Sequence, residues 1–185
     1  NLDAKGRAFY TVLKNGQTLL NPSQLGLKLN TGEFVEQLTL TDVQANTVKD
    51  NYRLVAGKRR DNTYLANEKI ISLKNAQGKK LAFALRVSND AVAFQYRILA
   101  DSQQEQTVQT ELTQFALPAQ SSAWLQPIAV AQTGWANTNP SYEEHYAMNI
   151  PVGTPSSSPA GWIFPALFKV SDTWVLLTEA GISAD

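Results

Sequence analysis

Apolar and polar side chains alternate at every second position through much of this 185-residue chain. Leu81, Phe83, Leu85 and Val87 alternate with Ala82, Ala84 and Arg86. After Ser88-Asn89-Asp90, Val92, Phe94, Tyr96 and Ile98 alternate with Ala93, Gln95 and Arg97. A period of two sends successive side chains to opposite faces of a pleated strand. With Ile70, Ile71 and Leu73 ahead of Asn75-Ala76-Gln77-Gly78, these runs predict a three-stranded antiparallel meander from Ile70 to Leu99 that buries one face. Phe9–Leu13 and Gln17–Leu20 flank Lys14-Asn15-Gly16, and Asn-Gly between β-rich runs predicts a tight hairpin. Thr107–Phe115 reads as another strand, and Trp162–Val170 with Trp174–Thr178 as a hairpin turning at Ser171-Asp172-Thr173. In Trp162–Phe168 both faces are apolar, as in a strand covered on both sides, and Pro165 is expected to cost one ladder bond. No 11-residue window carries an apolar stripe of helical period. The pattern therefore predicts an all-β chain, a two-sheet antiparallel β-sandwich.

Between Pro118 and Gly161 the alternation lapses, and Thr133-Gly134, Asn137-Thr138-Asn139-Pro140 and Thr154–Pro159 signal loops. A stretch that long reads as a functional loop. Trp124, Trp135, Tyr142 and Tyr146 give it an aromatic weight that a solvated linker lacks.

Composition sharpens this division. Residues 1–110 hold fifteen basic and ten acidic side chains, and residues 111–185 hold one (Lys169) and six, which together make the 16 and 16 of the whole chain. All four tryptophans and the sole histidine lie in the second, nearly cation-free stretch. Such a surface suits a neutral polyhydroxylated ligand or a hard cation and disfavours nucleic acid. Lys58-Arg59-Arg60 is followed by Asp61, stands apart from the tryptophans and reads as a solvated turn. With no cysteine there is no thiol catalysis, cysteine zinc site or disulfide. No apolar run approaches the roughly 20 residues of a membrane span. A chain of this length fits one domain, 1–185. It opens Asn1-Leu2-Asp3, as expected of a processed product or an excised piece.

Candidate chemistry is sparse. Tyr142-Glu143-Glu144-His145-Tyr146 is the densest cluster of reactive groups. Adjacent residues of an extended strand face opposite ways, so Glu143 and Glu144 do not make a glycosidase acid pair between themselves. One of them, with His145 and an aromatic, suits the lining of a sugar site; the same residues also suit a solvated loop anchored by its tyrosines. Ser-His hydrolysis would depend on His145 alone, and no Gly-x-Ser-x-Gly turn exists. Glu179 closes the apolar strand Trp174–Thr178, where a carboxylate is exposed, paired or metal-bound, because burying it alone costs several kcal/mol.

The stretch Leu85–Arg97, the opening Gly16–Leu27, the Trp124 region, Tyr142–Tyr146 and Leu176-Leu177-Thr178-Glu179-Ala180 together resemble the N-terminal domain of glycoside hydrolase family 97, nearest the bacteroidal α-glucosidases acting on starch-derived oligosaccharides. The resemblance implies a supersandwich of the galactose-mutarotase type, with its last strands and a catalytic (β/α)₈ barrel of the same polypeptide lying beyond Asp185. It implies a Ca²⁺-dependent periplasmic enzyme in which Glu179 is one metal ligand. The 118–161 loop narrows the pocket, and Trp135, Glu144 or His145 touches the non-reducing sugar of an α-glucan oligosaccharide. No catalytic residue falls in this chain, which alone is expected to be inactive. The alternatives are a stand-alone carbohydrate-binding module that stacks tryptophans on sugar faces and an interaction domain that only stabilises a partner. Family members commonly have glycine in the Asn89-Asp90 turn where this chain has Ala91.

Overall fold

A computed structural model describes residues 1–99, 105–128 and 146–181. Thirteen strands and no helix form among them, so no described helix is long and apolar enough to cross a membrane. Sheet pairing between named strands is antiparallel wherever a register is defined. The all-β sandwich expected from the two-residue period is the observed class. The chain parts into two compact units, Asn1–Tyr10 with Pro22–Gln114, and Thr11–Asn21 with Phe115–Asp185.

The first hairpin, β1 (Ala8–Lys14) and β2 (Gln17–Leu25), turns where the Asn-Gly pair places it. Asn15 and Gly16 take φ of 51° and 82°, the left-handed pair that a two-residue turn requires to match strand twist.

The first unit is itself a two-sheet sandwich. One sheet runs β4-β3-β9 (Gly32–Phe34, Leu27–Leu29, Val108–Glu111) and the other β5-β6-β7-β8 (Thr39–Arg53, Asp61–Lys74, Lys80–Val87, Val92–Leu99). Leu25, Leu27, Leu29 and Phe34 meet Leu73, Leu81 and Phe83 in one cluster, against which Leu85, Phe94, Tyr96 and Ile98 pack. The alternation read between Ile70 and Leu99 is this inward face, and each fully buried leucine or phenylalanine contributes about 2 kcal/mol. Tyr96 keeps its hydroxyl satisfied inside, 2.7 Å from the Thr113 hydroxyl and accepting from the Gly26 amide at 3.1 Å. Burial raises the Tyr96 phenol above its usual pKa, and burial pushes Tyr10 up to about 12. Gly6, at φ 69°, passes so close to Leu38 that a Cβ would sit 2.7 Å from its backbone nitrogen, so only glycine fits.

The meander gains a fourth strand that the alternation did not indicate. β5 pairs with β6 from Thr39↔Lys74 to Arg53↔Asp61, while β7 ends its pairing at Asn67↔Val87, so the distal part of the β5-β6 ribbon projects beyond the sheet. Nearly every β5 side chain is exposed, and a strand held by backbone bonds and polar side-chain contacts such as Arg53 to Asp61 leaves no apolar period. Lys58-Arg59-Arg60 lie exposed in the turn at its tip, as a solvated turn should. Ala91 closes the next turn without a positive φ, its amide bonded to the Ser88 hydroxyl at 3.1 Å, so glycine is not needed there.

The second unit holds the sheet β11-β10-β12-β13 (Ala147–Pro151, Ser122–Pro127, Trp162–Val170, Thr173–Leu177). Strands β10 and β11 correct the expectation of continuous loop from 118 to 161. β10 is six residues with a register shift between Ala123 and Leu125, and β11 is five with Asn149 at φ 56°. Both are too short and irregular to give a sustained period. Ala123, Leu125, Ala166 and Phe168 form the core on one face, with Val175 and Leu177 against it. Pro165 falls where the ladder is interrupted, since β10 pairs Leu167 with Trp124 and Ile163 with Gln126 across a shift, and pairing with β13 ends at Ala166.

Candidate functional site

Trp135, Glu144 and His145 lie outside the described residues, so their side chains enter no geometry here. Glu179 is described. It follows β13 by two residues and is exposed. The ion pairs among the described residues do not include it, and the Thr178 hydroxyl donates to its carbonyl at 3.3 Å. Among the described residues the carboxylate has no ion-pair partner. No group of three or more His, Cys, Asp or Glu side chains gathers among the described residues. Ca²⁺ takes six to eight oxygens, so Glu179 fits the role of one ligand and these residues do not make a complete site.

Register places Glu179 relative to the described residues that flank segment 129–145. Leu177 pairs with Ala166, Leu167 with Trp124, and Leu125 with Ala147. The strands are antiparallel, so the exit of β13, the start of β12, the exit of β10 and the start of β11 share one end of the sheet. Glu179 continues from that end. Segment 129–145, which bears Trp135, Glu144 and His145, leaves from β10 and returns into β11 at the same end. The Ile128 amide, bonded to the Gly161 carbonyl at 2.9 Å, pins its departure. Trp162 is pinned beside it, its indole nitrogen donating to the Thr154 carbonyl at 3.3 Å.

Two further groupings escaped the sequence reading. On the non-core face of the second unit's sheet, Trp124, Leu167 and Leu176 lie in register, with Lys169 and Trp174 paired in the adjoining row. The two indoles stand 4.8 Å apart at 57°, and the Lys169 ammonium lies 5.7 Å from the Trp174 ring. The signal was present as the two-faced apolar pattern of Trp162–Phe168. In the first unit, Glu68 is buried on β6, accepts from Arg86 at 2.8 Å and from Asn46 at 3.4 Å, and has Arg97 at 4.0 Å. Register sets Arg86 opposite Glu68 and Arg97 opposite Ala82, from where the long Arg97 side chain reaches back to the same carboxylate. The Arg86 hydrogen bond holds Glu68 below the usual carboxylate range against the opposing effect of burial, and Glu68 raises Arg86 in turn. Among the described residues this grouping is internally paired, and it is a structural clamp on the sheet.

Residues 1–184 match the family model described as glycosyl-hydrolase 97 N-terminal. A probable retaining α-galactosidase of Streptomyces bingchenggensis (strain BCW-1) is 27% identical over 98% of this chain and 26% of its own length. The crystal structure of a β-arabinopyranosidase superposes with a TM-score of 0.91 at 36% identity, covering 98% of this chain and 29% of that one. A glycoside hydrolase family 97 enzyme from Pseudoalteromonas sp. strain K8, in complex with acarbose, gives 0.72 at 20% identity over 92% of this chain and 25% of that one. At that identity the likeness concerns the fold alone. The chain thus spans about a quarter of the length of the relatives it matches.

Proposed function

This chain belongs to the glycosyl-hydrolase 97 N-terminal family, and on that premise we propose that it is the non-catalytic N-terminal part of a Ca²⁺-dependent, exo-acting glycoside hydrolase of the periplasm. The supporting observation is the shared sheet end: an exposed Glu179, outside the ion pairs of the described residues, and both described anchors of segment 129–145 converge there. A (β/α)₈ barrel of the same polypeptide would meet that end and bring the catalytic carboxylates. Glu179 would donate carboxylate oxygen to Ca²⁺, whose fixed positive charge would sit beside the sugar. Trp135, Glu144 and His145 would border the non-reducing residue. A neutral polyol suits residues 111–185 because they carry one basic side chain against six acidic ones.

Two sugar configurations are in play. The sequence resemblance implies an α-glucoside, such as a starch-derived oligosaccharide. The relatives at 36% and 27% identity are named for β-arabinopyranoside and α-galactoside. L-Arabinopyranose has the ring configuration of galactose without the hydroxymethyl arm, so these names favour a galacto-configured substrate as the second reading.

The complete polypeptide, assayed on nitrophenyl α-glucoside, α-galactoside and β-L-arabinopyranoside, distinguishes them. Glu179→Gln keeps the size of the side chain and removes its charge. It should raise the Ca²⁺ concentration for half-maximal activity by roughly tenfold or more, since affinity follows the number of charged ligands. An unchanged Ca²⁺ requirement removes Glu179 from the metal. Turnover by the 185-residue chain alone would refute its non-catalytic role. Oligosaccharide binding by that chain in calorimetry, without turnover by the complete polypeptide, would favour a carbohydrate-binding module.

A further inference from the structure

The β5-β6 ribbon runs well past the sheet that holds it. β7 leaves β6 at Asn67↔Val87 while β5 stays paired as far as Arg53↔Asp61, so residues 61–66 carry the turn about 20 Å beyond the end of β7. That turn, 54–60, has two halves. Leu54-Val55-Ala56-Gly57 is apolar, with Val55 99% exposed and Leu54 43%, and Lys58-Arg59-Arg60 is cationic and exposed. Asp61, the acid that follows, is held by Arg53 at 2.6 Å, which leaves the three cations outside the ion pairs of the described residues. Asn62 fixes the shape of the turn. Its amide donates to the Arg59 and Arg60 carbonyls at 3.2 Å and accepts from the Arg59 guanidinium at 3.1 Å, and the Leu54 amide bonds the Arg60 carbonyl at 2.8 Å. Leu99, from which segment 100–104 departs, pairs with Lys80 at the opposite end of the sheet. That end lies about 43 Å from Asp61 along β6, farther than so short a segment can reach.

We propose that the tip of this ribbon touches the surface of an anionic bilayer, seating Val55 and Leu54 among the lipid headgroups while Lys58, Arg59 and Arg60 meet the lipid phosphates. An interface of that kind takes both halves of the turn at once. Apolar side chains sink to the boundary between headgroups and acyl chains, and each cation gains from the negative surface potential within a Debye length. Tyr52, two residues before Leu54 and 46% exposed, has the ring and hydroxyl that settle at a membrane–water boundary. The 185 residues have no net formal charge, so the attraction is local to the tip. Shape argues against a protein partner, because a convex turn this small does not offer the roughly 800 Å² that a stable protein interface buries on each side. Nucleic acid would use the cations and leave Val55 and Leu54 in water, and the turn holds no aromatic side chain on which a base could stack. Membrane contact at the tip is independent of which glycoside the enzyme takes.

Flotation of the complete polypeptide with lipid vesicles tests the contact. With vesicles of equal parts phosphatidylcholine and phosphatidylglycerol the polypeptide should float, and with pure phosphatidylcholine it should stay below. Val55→Ser removes apolar surface that no described residue packs on, and should lower the partition coefficient about threefold or more. Lys58→Gln with Arg59→Gln and Arg60→Gln should lower it about tenfold or more. Val55→Trp should raise it instead. All three variants should keep the wild-type Tm, so that a change in flotation reports the contact rather than the fold. Absence of flotation with the anionic vesicles overturns the proposal. So does flotation that none of the variants changes, which puts the contact elsewhere on the polypeptide. Binding that falls with the cations but ignores both Val55→Ser and Val55→Trp marks a purely ionic site, suited to free phosphate or an acidic protein, and overturns it as well. Hydrolysis of a soluble nitrophenyl glycoside should be equal in the wild type and the variants, so the functional reading stands whichever way the vesicles decide.

Discussion

Two antiparallel four-stranded sheets form among the described residues, and their outer faces differ in kind. Behind the meander β5-β6-β7-β8, the face away from the core carries Gln44, Glu68, Arg86, Gln95 and Arg97 around a single large aliphatic, Ile70, and small Ala82 and Ala84. Behind β11-β10-β12-β13 it carries Trp124, Leu167, Trp174 and Leu176 with a single lysine. The pleat is the same in both, so the difference lies in what each face meets. Long polar side chains lie over alanines and can finish a sheet against water, their stems covering what the heads leave open. A row of indoles and leucines finishes only against another apolar surface. A two-sided apolar strand thus leaves apolar surface open among the described residues, where a one-sided strand leaves none.

The largest effect that separates the two sheets should come from leucine truncation. Leu81→Ala, at a position with 0% exposure, should cost about 3 kcal/mol, the removed methyl groups plus the cavity left behind. Leu176→Ala in the same 185-residue chain should cost less than about 0.5 kcal/mol. Urea unfolding must follow far-UV circular dichroism for the first and can follow tryptophan fluorescence for the second, because all four tryptophans lie after Gln114. Comparable costs would mean that the outer face of β13 is packed after all.

Acid should then separate the clamp from the apolar face. Glu68 has a folded pKa below its unfolded one, so its stabilisation is fully present above the unfolded carboxylate pKa. It fades as pH falls through that value towards the folded one. Denaturation midpoints of Glu68→Gln should accordingly be lower than wild type near neutrality and converge with it in acid. A constant gap across the range would show that the Arg86 contact acts through packing rather than charge. Arg86 is itself 41% exposed, which screens the pair and keeps the expected effect modest. Smallest of all should be Lys169→Met. Removing the ammonium 5.7 Å from the Trp174 ring forfeits no more than about 1 kcal/mol at so exposed a site. A shift in Trp174 fluorescence with an unchanged midpoint is the expected result.

Alternation over Leu81–Val87 and Val92–Ile98, the Asn15-Gly16 turn and the Ser171 hairpin were legible because each depends on neighbours within one or two residues. The β5-β6 ribbon was not legible. Its exposed strand is defined by which backbone lies alongside, and no side-chain period records that choice. Strands β10 and β11 were hidden for a related reason, being short and broken by a bulge. The metal candidate Glu179 was visible as a carboxylate closing an apolar strand, and the structure leaves it exposed and outside the described ion pairs.

By itself, then, the sequence determined the fold class, the inward face of the meander, the charge asymmetry that separates the first 110 residues from the rest, and a strand apolar on both sides. Local sterics and solvation set these, and both are written residue by residue. Tertiary structure alone decided that Glu68 lies between Arg86 and Arg97, that Glu179 shares a sheet end with the anchors of segment 129–145, and that Trp124 lines up with Leu176. Each joins residues far apart in the chain through antiparallel register, where a slip of one residue sends every side chain to the other face.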